Sequence, residues 1–198
     1  LIINTSWPFV VNENTAQWAF WDTAFSKEEC EKIIKLGKKQ VLEKGFVNSD
    51  GKNIVDEHIR ISNVSWLFPS NDTEWIYKRL TDIIVELNKR FFNYDLYGII
   101  EGLQFTEYFG DRSGMYTKHI DSTSNGVIRK ISVSVQLSEL NSYEGGSLLL
   151  HTSSNPQEMA KDVGKLIMFP SFVLHEVTPV EKGTRYSLVA WVTGPPLK

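Results

Sequence analysis

The chain has 198 residues, 41% of them apolar and 12% aromatic, with a formal charge of −3 and one cysteine. That apolar fraction suits a sizeable core, and the length fits one domain over residues 1–198. The weakly acidic balance excludes a basic footprint for nucleic acid or an anionic membrane. The lone Cys30 excludes an internal disulfide and a cysteine zinc cage. No apolar run reaches about 18 residues, which excludes an ordinary membrane-spanning helix.

In chain order, residues 7–25 are aromatic-rich and read as early strands. Ser26 and Glu29 form a capping box ahead of Cys30, Ile33, Ile34, Gly37 and Val41 at helical spacing, so a helix is predicted over 27–43 with Gly45 as its stop. Cys30 falls on the apolar face and reads as core. Residues 46–58 are polar and turn-rich, a loop or loose hairpin; Arg60 to Phe68 is strand-like. Ile76, Leu80, Ile83, Ile84, Leu87 and Phe91 make one apolar stripe, which predicts a second helix over 73–92. From residue 94 the chain reads as all-β, with strand-like runs at 99–109, 130–137, 147–151, 165–169 and 185–193. The expected class is therefore α+β: a helical and strand support region over 1–93 and a jelly-roll core over 94–198.

Period-2 alternation carries more than fold. Arg185, Ser187, Val189 and Trp191 share one strand face, a pattern that suits a lined cavity. His119 and Asp121 share a face by the same parity. Alone, a His-x-Asp pair is more often a surface adjacency. His175, separated from Asp121 by 53 intervening residues, closes an apolar strand, and Arg185 follows ten residues later. Two imidazoles and one carboxylate on one face of an octahedral ion leave three positions open, which suits non-haem Fe(II) and oxygen chemistry. A 2-oxoacid takes two of those positions, and its far carboxylate needs a planar, permanent cation, for which Arg185 is the candidate.

Several stretches in order, GMYTKHID at 114–121, RKISVSVQL at 129–137, EGG at 144–146, FPSFVLHEVTPV at 169–180 and GTRYS at 183–187, with Trp191 beyond, resemble the Fe(II)- and 2-oxoglutarate-dependent oxygenases, in their prolyl-4-hydroxylase-like branch. The last two stretches look most like its small bacterial and phage members. The resemblance spans about Gln104 to Trp191. It implies a double-stranded β-helix, a distorted jelly roll with N-terminal helices packed on one sheet. It makes His119, Asp121 and His175 the iron ligands and Arg185 the partner of 2-oxoglutarate, with Tyr108, Gln136 and Trp191 beside that cosubstrate. Gln136 stands where relatives carry a second tyrosine. Arg60, Trp66, Tyr116 and Arg129 are candidate substrate contacts, and the loop at 46–58 covers an extended peptide. The implied reaction is hydroxylation of a peptidyl residue, proline first, with Fe(II), 2-oxoglutarate and O2 consumed, succinate and CO2 released, and ascorbate as an auxiliary reductant. Asp121 in the ligand position favours hydroxylation over halogenation. The expected partner is a peptide or protein, with neither nucleic acid nor membrane, and the oligomeric state is left open. The expected compartment is the cytoplasm, or a host's cytoplasm for a phage-encoded chain.

Other readings stay open at this point. The same chemistry serves a free amino acid, a small metabolite or a nucleobase, and a jelly roll can bind metal without catalysis. Gln136, Ser132 and Ser134 also read as the wet face of a strand, Gly145 and Gly146 as a tight turn, and His58 and His151 as structural or exposed.

Overall fold

The computed structural model describes residues 16–49, 52–124 and 126–196. The chain opens with β1 (Ala19–Trp21) and α1 (Lys27–Lys39). Short strands β2 (Glu43–Lys44), β3 (Val47–Ser49), β4 (Lys52–Ile54), β5 (Arg60–Ile61) and β6 (Asn63–Leu67) lead to α2 (Glu74–Leu87) and one π-helical turn, Asn88–Phe92. The rest is β: β7 (Leu103–Phe109), β8 (Met115–His119), β9 (Thr123–Ser124), β10 (Val127–Gln136), β11 (Tyr143–Gly145), β12 (Leu148–Leu150), β13 (Gln157–Glu158), β14 (Leu166–Pro170), β15 (His175–Val177) and β16 (Val180–Thr193). No helix among the described residues is long and apolar enough to cross a membrane.

Two antiparallel sheets face each other. The larger runs β1-β14-β10-β16-β7-β6-β2 and the smaller β13-β12-β15-β8-β5, while β3 and β4 form a separate hairpin. This is the distorted jelly roll that the resemblance implied. Alternation decides which side chain goes where. On β14, Leu166 and Met168 join the core beneath the helices, while Ile167 and Phe169 join a second core between the sheets. Both faces are buried, so β14 reads as an unbroken apolar run. On β7, Leu103 and Phe105 face α1 and α2, whereas Tyr108 faces the second core. Each fully buried side chain of that size stabilises the fold by roughly 1.5–3 kcal/mol.

The capping box forms as expected: the Ser26 side chain accepts from the Glu29 N–H, and Glu29 Oε2 accepts from the Ser26 N–H at 2.8 Å. The helix stops earlier than its periodicity suggests. Gln40 takes extended backbone, its N–H bonded to the Gly37 carbonyl, and Val41 is 80% exposed rather than packed. The chain has to turn there to bring β2 alongside β6. Similarly, α2 gives way to the π turn at Asn88, whose side chain brackets the backbone N–H and C=O of Tyr94. Asn93 then reverses the chain in the left-handed region, at φ 52°. The loose hairpin expected at 46–58 is present as β3 and β4. Of the strands expected within 7–25, only β1 falls among the described residues. Residues before 94 do more than support: β6 pairs with β7 in the larger sheet, one strand in from its β2 edge, and β5 pairs with β8 at the edge of the smaller sheet.

Candidate active site

Three short runs converge between the sheets. β8 ends at His119, and β15 begins at His175, its antiparallel partner in register. A bulge between His175 and Val177 breaks the ladder there, as bulges do where a side chain must be aimed. Asp121 follows β8 with its N–H bonded to the Ser171 carbonyl at 2.8 Å, so the β14–β15 connection holds both flanks. One donor atom from each of His119, Asp121 and His175 lies within 4.8 Å of the others. His119 Nε2 is 3.7 Å from Asp121 Oδ1, and His175 Nε2 is 3.4 Å from Asp121 Oδ2.

Local hydrogen bonds decide what these rings present. His119 Nδ1 is 2.7 Å from the Thr117 carbonyl, and His175 Nδ1 is 2.9 Å from that of Val173. A carbonyl only accepts, so each Nδ1 carries a proton and each Nε2 points inward, where it offers a lone pair in the neutral ring. Burial, with His175 close by, pushes His119 down to about 4. For Asp121, burial alone would raise the carboxyl, but the positive character of His175 and its hydrogen bond outweigh that and hold it well below the carboxylate range. For His175, burial opposes the charge, yet Asp121 raises it overall. Near neutrality the donor set is one carboxylate and inward-facing imidazole nitrogens. That fits a borderline divalent metal such as ferrous iron.

The triad borders a cavity of about 530 Å³. Arg185, Ser187, Val189 and Trp191 all line it, as strand parity required. Arg185 is 3% exposed, and among the described residues no carboxylate lies within ion-pair distance of it. Its guanidinium stands 5.5 Å over the ring of Tyr108, its register partner on β7. A buried cation without an anion is costly, so this corner is built to receive one. Gly146, at φ 59°, passes close by, where a Cβ would come within 3.1 Å of Arg185 Cδ and 2.8 Å of Val180 Cγ2. The glycine pair is thus both turn and clearance.

The remaining candidates separate. Tyr108, Tyr116, Trp66, Arg60, Arg129 and Trp191 line the cavity. Gln136 does not; it donates to the Tyr143 hydroxyl at 2.9 Å, and Tyr143 lies beside Arg185. Tyr116 stacks on His119 with centroids 3.5 Å apart, and burial pushes its hydroxyl up to about 12. Arg60 lies 4.6 Å over Tyr116 and donates to Gln104, Ser62 and the Phe46 carbonyl, all neutral. Trp191 donates its indole N–H to Asp121 at 2.9 Å, and Arg129 is held in a fork by Glu101. Ser132, Glu101 and Tyr143 are site residues that sequence reasoning missed. His151, expected to be structural or exposed, pairs with Glu176 at 2.8 Å, outside this cavity.

Comparison with known proteins gives concordant likenesses. The model of the 2OG-Fe(II) oxygenase superfamily matches residues 103–193. A PKHD-type hydroxylase of Shewanella oneidensis is 41% identical over 93 residues, covering 44% of this chain and 41% of the relative. One from Prochlorococcus marinus is 29% identical over 171 residues, 84% of this chain and 73% of the relative. The chain thus spans about two fifths of the Shewanella protein and nearly three quarters of the other. Among solved structures, a Pseudomonas putida prolyl-4-hydroxylase superposes with a TM-score of 0.73 at 18% identity, over 91% of this chain and 94% of that one. A Trichoplax adhaerens prolyl hydroxylase, in complex with a hypoxia inducible factor peptide fragment, gives 0.76 at 20% identity, over 91% and 85%. At such identities these likenesses bear on fold.

Proposed function

We propose that this chain, whose residues 103–193 match the model of the 2OG-Fe(II) oxygenase superfamily, is a Fe(II)- and 2-oxoglutarate-dependent dioxygenase that hydroxylates a peptidyl residue, proline first. The observation that carries the reading is the meeting, in one cavity, of the His119–Asp121–His175 donor set and a buried Arg185 that has no carboxylate of its own among the described residues.

Each residue has a task. His119, Asp121 and His175 would hold ferrous iron by Nε2, a carboxylate oxygen and Nε2. Arg185 would seat the distal carboxylate of 2-oxoglutarate with two parallel N–H donors, and Tyr108 beneath it fixes the guanidinium plane. Ser187 and Val189 wall the space between. When bound, the iron with its cosubstrate supplies the oxidation: O2 is split between succinate, formed with loss of CO2, and a hydroxyl on the substrate. Trp66, Ile54 and Val47 give the cavity mouth an apolar lining, and the β3–β4 hairpin carries two of the three. An extended peptide with a proline at the metal fits such a mouth, and the peptide seen on the Trichoplax relative supports the same substrate class. A reducing cytoplasmic setting suits both ferrous iron and the lone Cys30.

The test is a succinate-coupled assay with Fe(II), 2-oxoglutarate and a peptide panel, read by mass. Succinate formed together with a gain of one oxygen atom on a proline-containing peptide is the expected result. Succinate formed without oxygen on any peptide overturns the peptidyl assignment, and no succinate under any condition overturns the dioxygenase.

A further inference from the structure

We infer that Glu101, Arg129 and Trp191 form a positioning chain that fixes the Asp121 carboxylate for the metal; the inference rests on the oxygenase reading of the site. The contacts run in one line. Glu101 takes both prongs of Arg129, with Nε at 2.7 Å from Oε2 and Nη2 at 2.6 Å from Oε1. The Arg129 guanidinium lies 3.7 Å over the Trp191 ring. Trp191 is 7% exposed, and its Nε1–H donates to Asp121 Oδ2 at 2.9 Å. Ser132 Oγ donates to the same oxygen at 2.8 Å, itself 3.0 Å from Ser171 Oγ.

The consequence is an asymmetric carboxylate. Oδ2 accepts from the two buried donors Trp191 and Ser132 and lies 3.4 Å from His175 Nε2, while Oδ1 accepts none among the described residues and faces His119 Nε2 at 3.7 Å. A carboxylate turned part-way about its Cβ–Cγ bond would lose both donors, and a half-turn only exchanges its equivalent oxygens, so the chain makes Asp121 a one-oxygen ligand of set direction. Partners of this kind orient metal ligands and raise affinity. Arg129 adds more than bulk. A cation stacked on an indole face draws on the ring's electron density, which makes its N–H a better donor.

Arg129 reaches this place through a break in the strand. On β10 the odd positions Ile131, Val133 and Val135 face the helices, and strict alternation would send Arg129 with them. The β10–β16 register shifts between Arg129 and Ile131, and the shift delivers Arg129 to the cavity side, above Trp191. With its fork spent on Glu101 and one face on the indole, Arg129 is poorly placed to be a first contact for substrate.

Two roles are therefore opposed, positioning the ligand or gripping the substrate, and metal affinity measured without substrate separates them. The experiment titrates the metal-free full chain with Mn(II), a redox-stable stand-in, with neither 2-oxoglutarate nor peptide present. W191F keeps the ring and deletes the N–H; R129K keeps the charge and loses the fork and the plane. Each is expected to raise the Mn(II) Kd by roughly tenfold or more. The double variant should bind no more weakly than W191F within about twofold, because Arg129 acts through Trp191. Melting curves of the metal-free variants identify any that misfold, and E101Q, which weakens the fork and leaves Arg129 in place, then replaces R129K. Mn(II) binding by R129K and E101Q equal to wild type, or losses that multiply in the double variant, overturn the inference while the oxygenase reading stands. A wild-type chain that takes up no Mn(II) overturns both.

Discussion

The two site histidines share a ligand chemistry but not a protonation equilibrium. Burial favours the neutral form of His119 and takes it from an ordinary 6.5 to about 4, whereas Asp121 raises His175 above that ordinary value. The linkage runs in opposite directions. His119 contributes stability that is complete above about 6.5 and is lost as pH falls through about 4. His175 contributes stability that is complete below 6.5 and is lost as pH rises through its raised value. In metal-free protein, NMR should show one imidazole titrating far below the other. Metal binding should release a proton from the His175–Asp121 pair and weaken as pH falls through the upper pKa. Two site imidazoles titrating together near 6.5 would contradict this. Arg185 gives a second prediction. A hydrogen bond to a charged group contributes roughly 1.5–3 kcal/mol, so R185K, which loses the fork, should weaken 2-oxoglutarate binding roughly tenfold to a hundredfold. Its metal Kd, measured alone, should not change.

At the scale of the element, α1 shows which local features were readable. Its capping box follows from Ser26 and Glu29 alone, and S26A should lower the unfolding free energy by about 1 kcal/mol in urea titrations without altering metal affinity. Gly37 tells more. Replacing it with alanine gains about 1 kcal/mol of helix propensity. The new Cβ, however, would collide with the Phe105 ring, a buried and inflexible neighbour, and overpacking costs about 1–3 kcal/mol. Net destabilisation is expected, and a variant more stable than wild type would show that α1 can move off β7. Parity on β16 made the cavity legible: Arg185, Ser187, Val189 and Trp191 all face it. The same rule failed where a bulge intervenes, so Arg129 was visible as a candidate but not its fork with Glu101, a pairing that needs the observed register. Ser132 was hidden because a strand hydroxyl looks the same whether it meets water or a carboxylate, and Tyr143 because its approach to Arg185 and Gln136 depends on how β11 lies against β16.

On the scale of the whole molecule, two cores meet along the larger sheet, one beneath the helices and one between the sheets. The jelly roll was legible from short alternating strands and ordered motifs. The joining of β1, β2 and β6 to the larger sheet was not, since pairing partners for such short runs are set by tertiary packing. Cys30 lies wholly within the first core, and burial pushes its thiol up to about 12. It should resist alkylation at pH 8 in native protein and react at the rate of global unfolding, which makes it a reporter for the variants above. Labelling before unfolding would mean that α1 opens separately from the sheet. The central claim is that two imidazoles, one carboxylate and one guanidinium form a joint site for a metal and a dicarboxylic oxoacid. Anaerobic calorimetry with Fe(II) followed by 2-oxoglutarate tests it most directly. One iron per chain, oxoacid binding only once iron is present, and loss of both in D121A are the predicted results. Oxoacid binding that ignores the metal, or iron binding that survives D121A unchanged, would contradict the account.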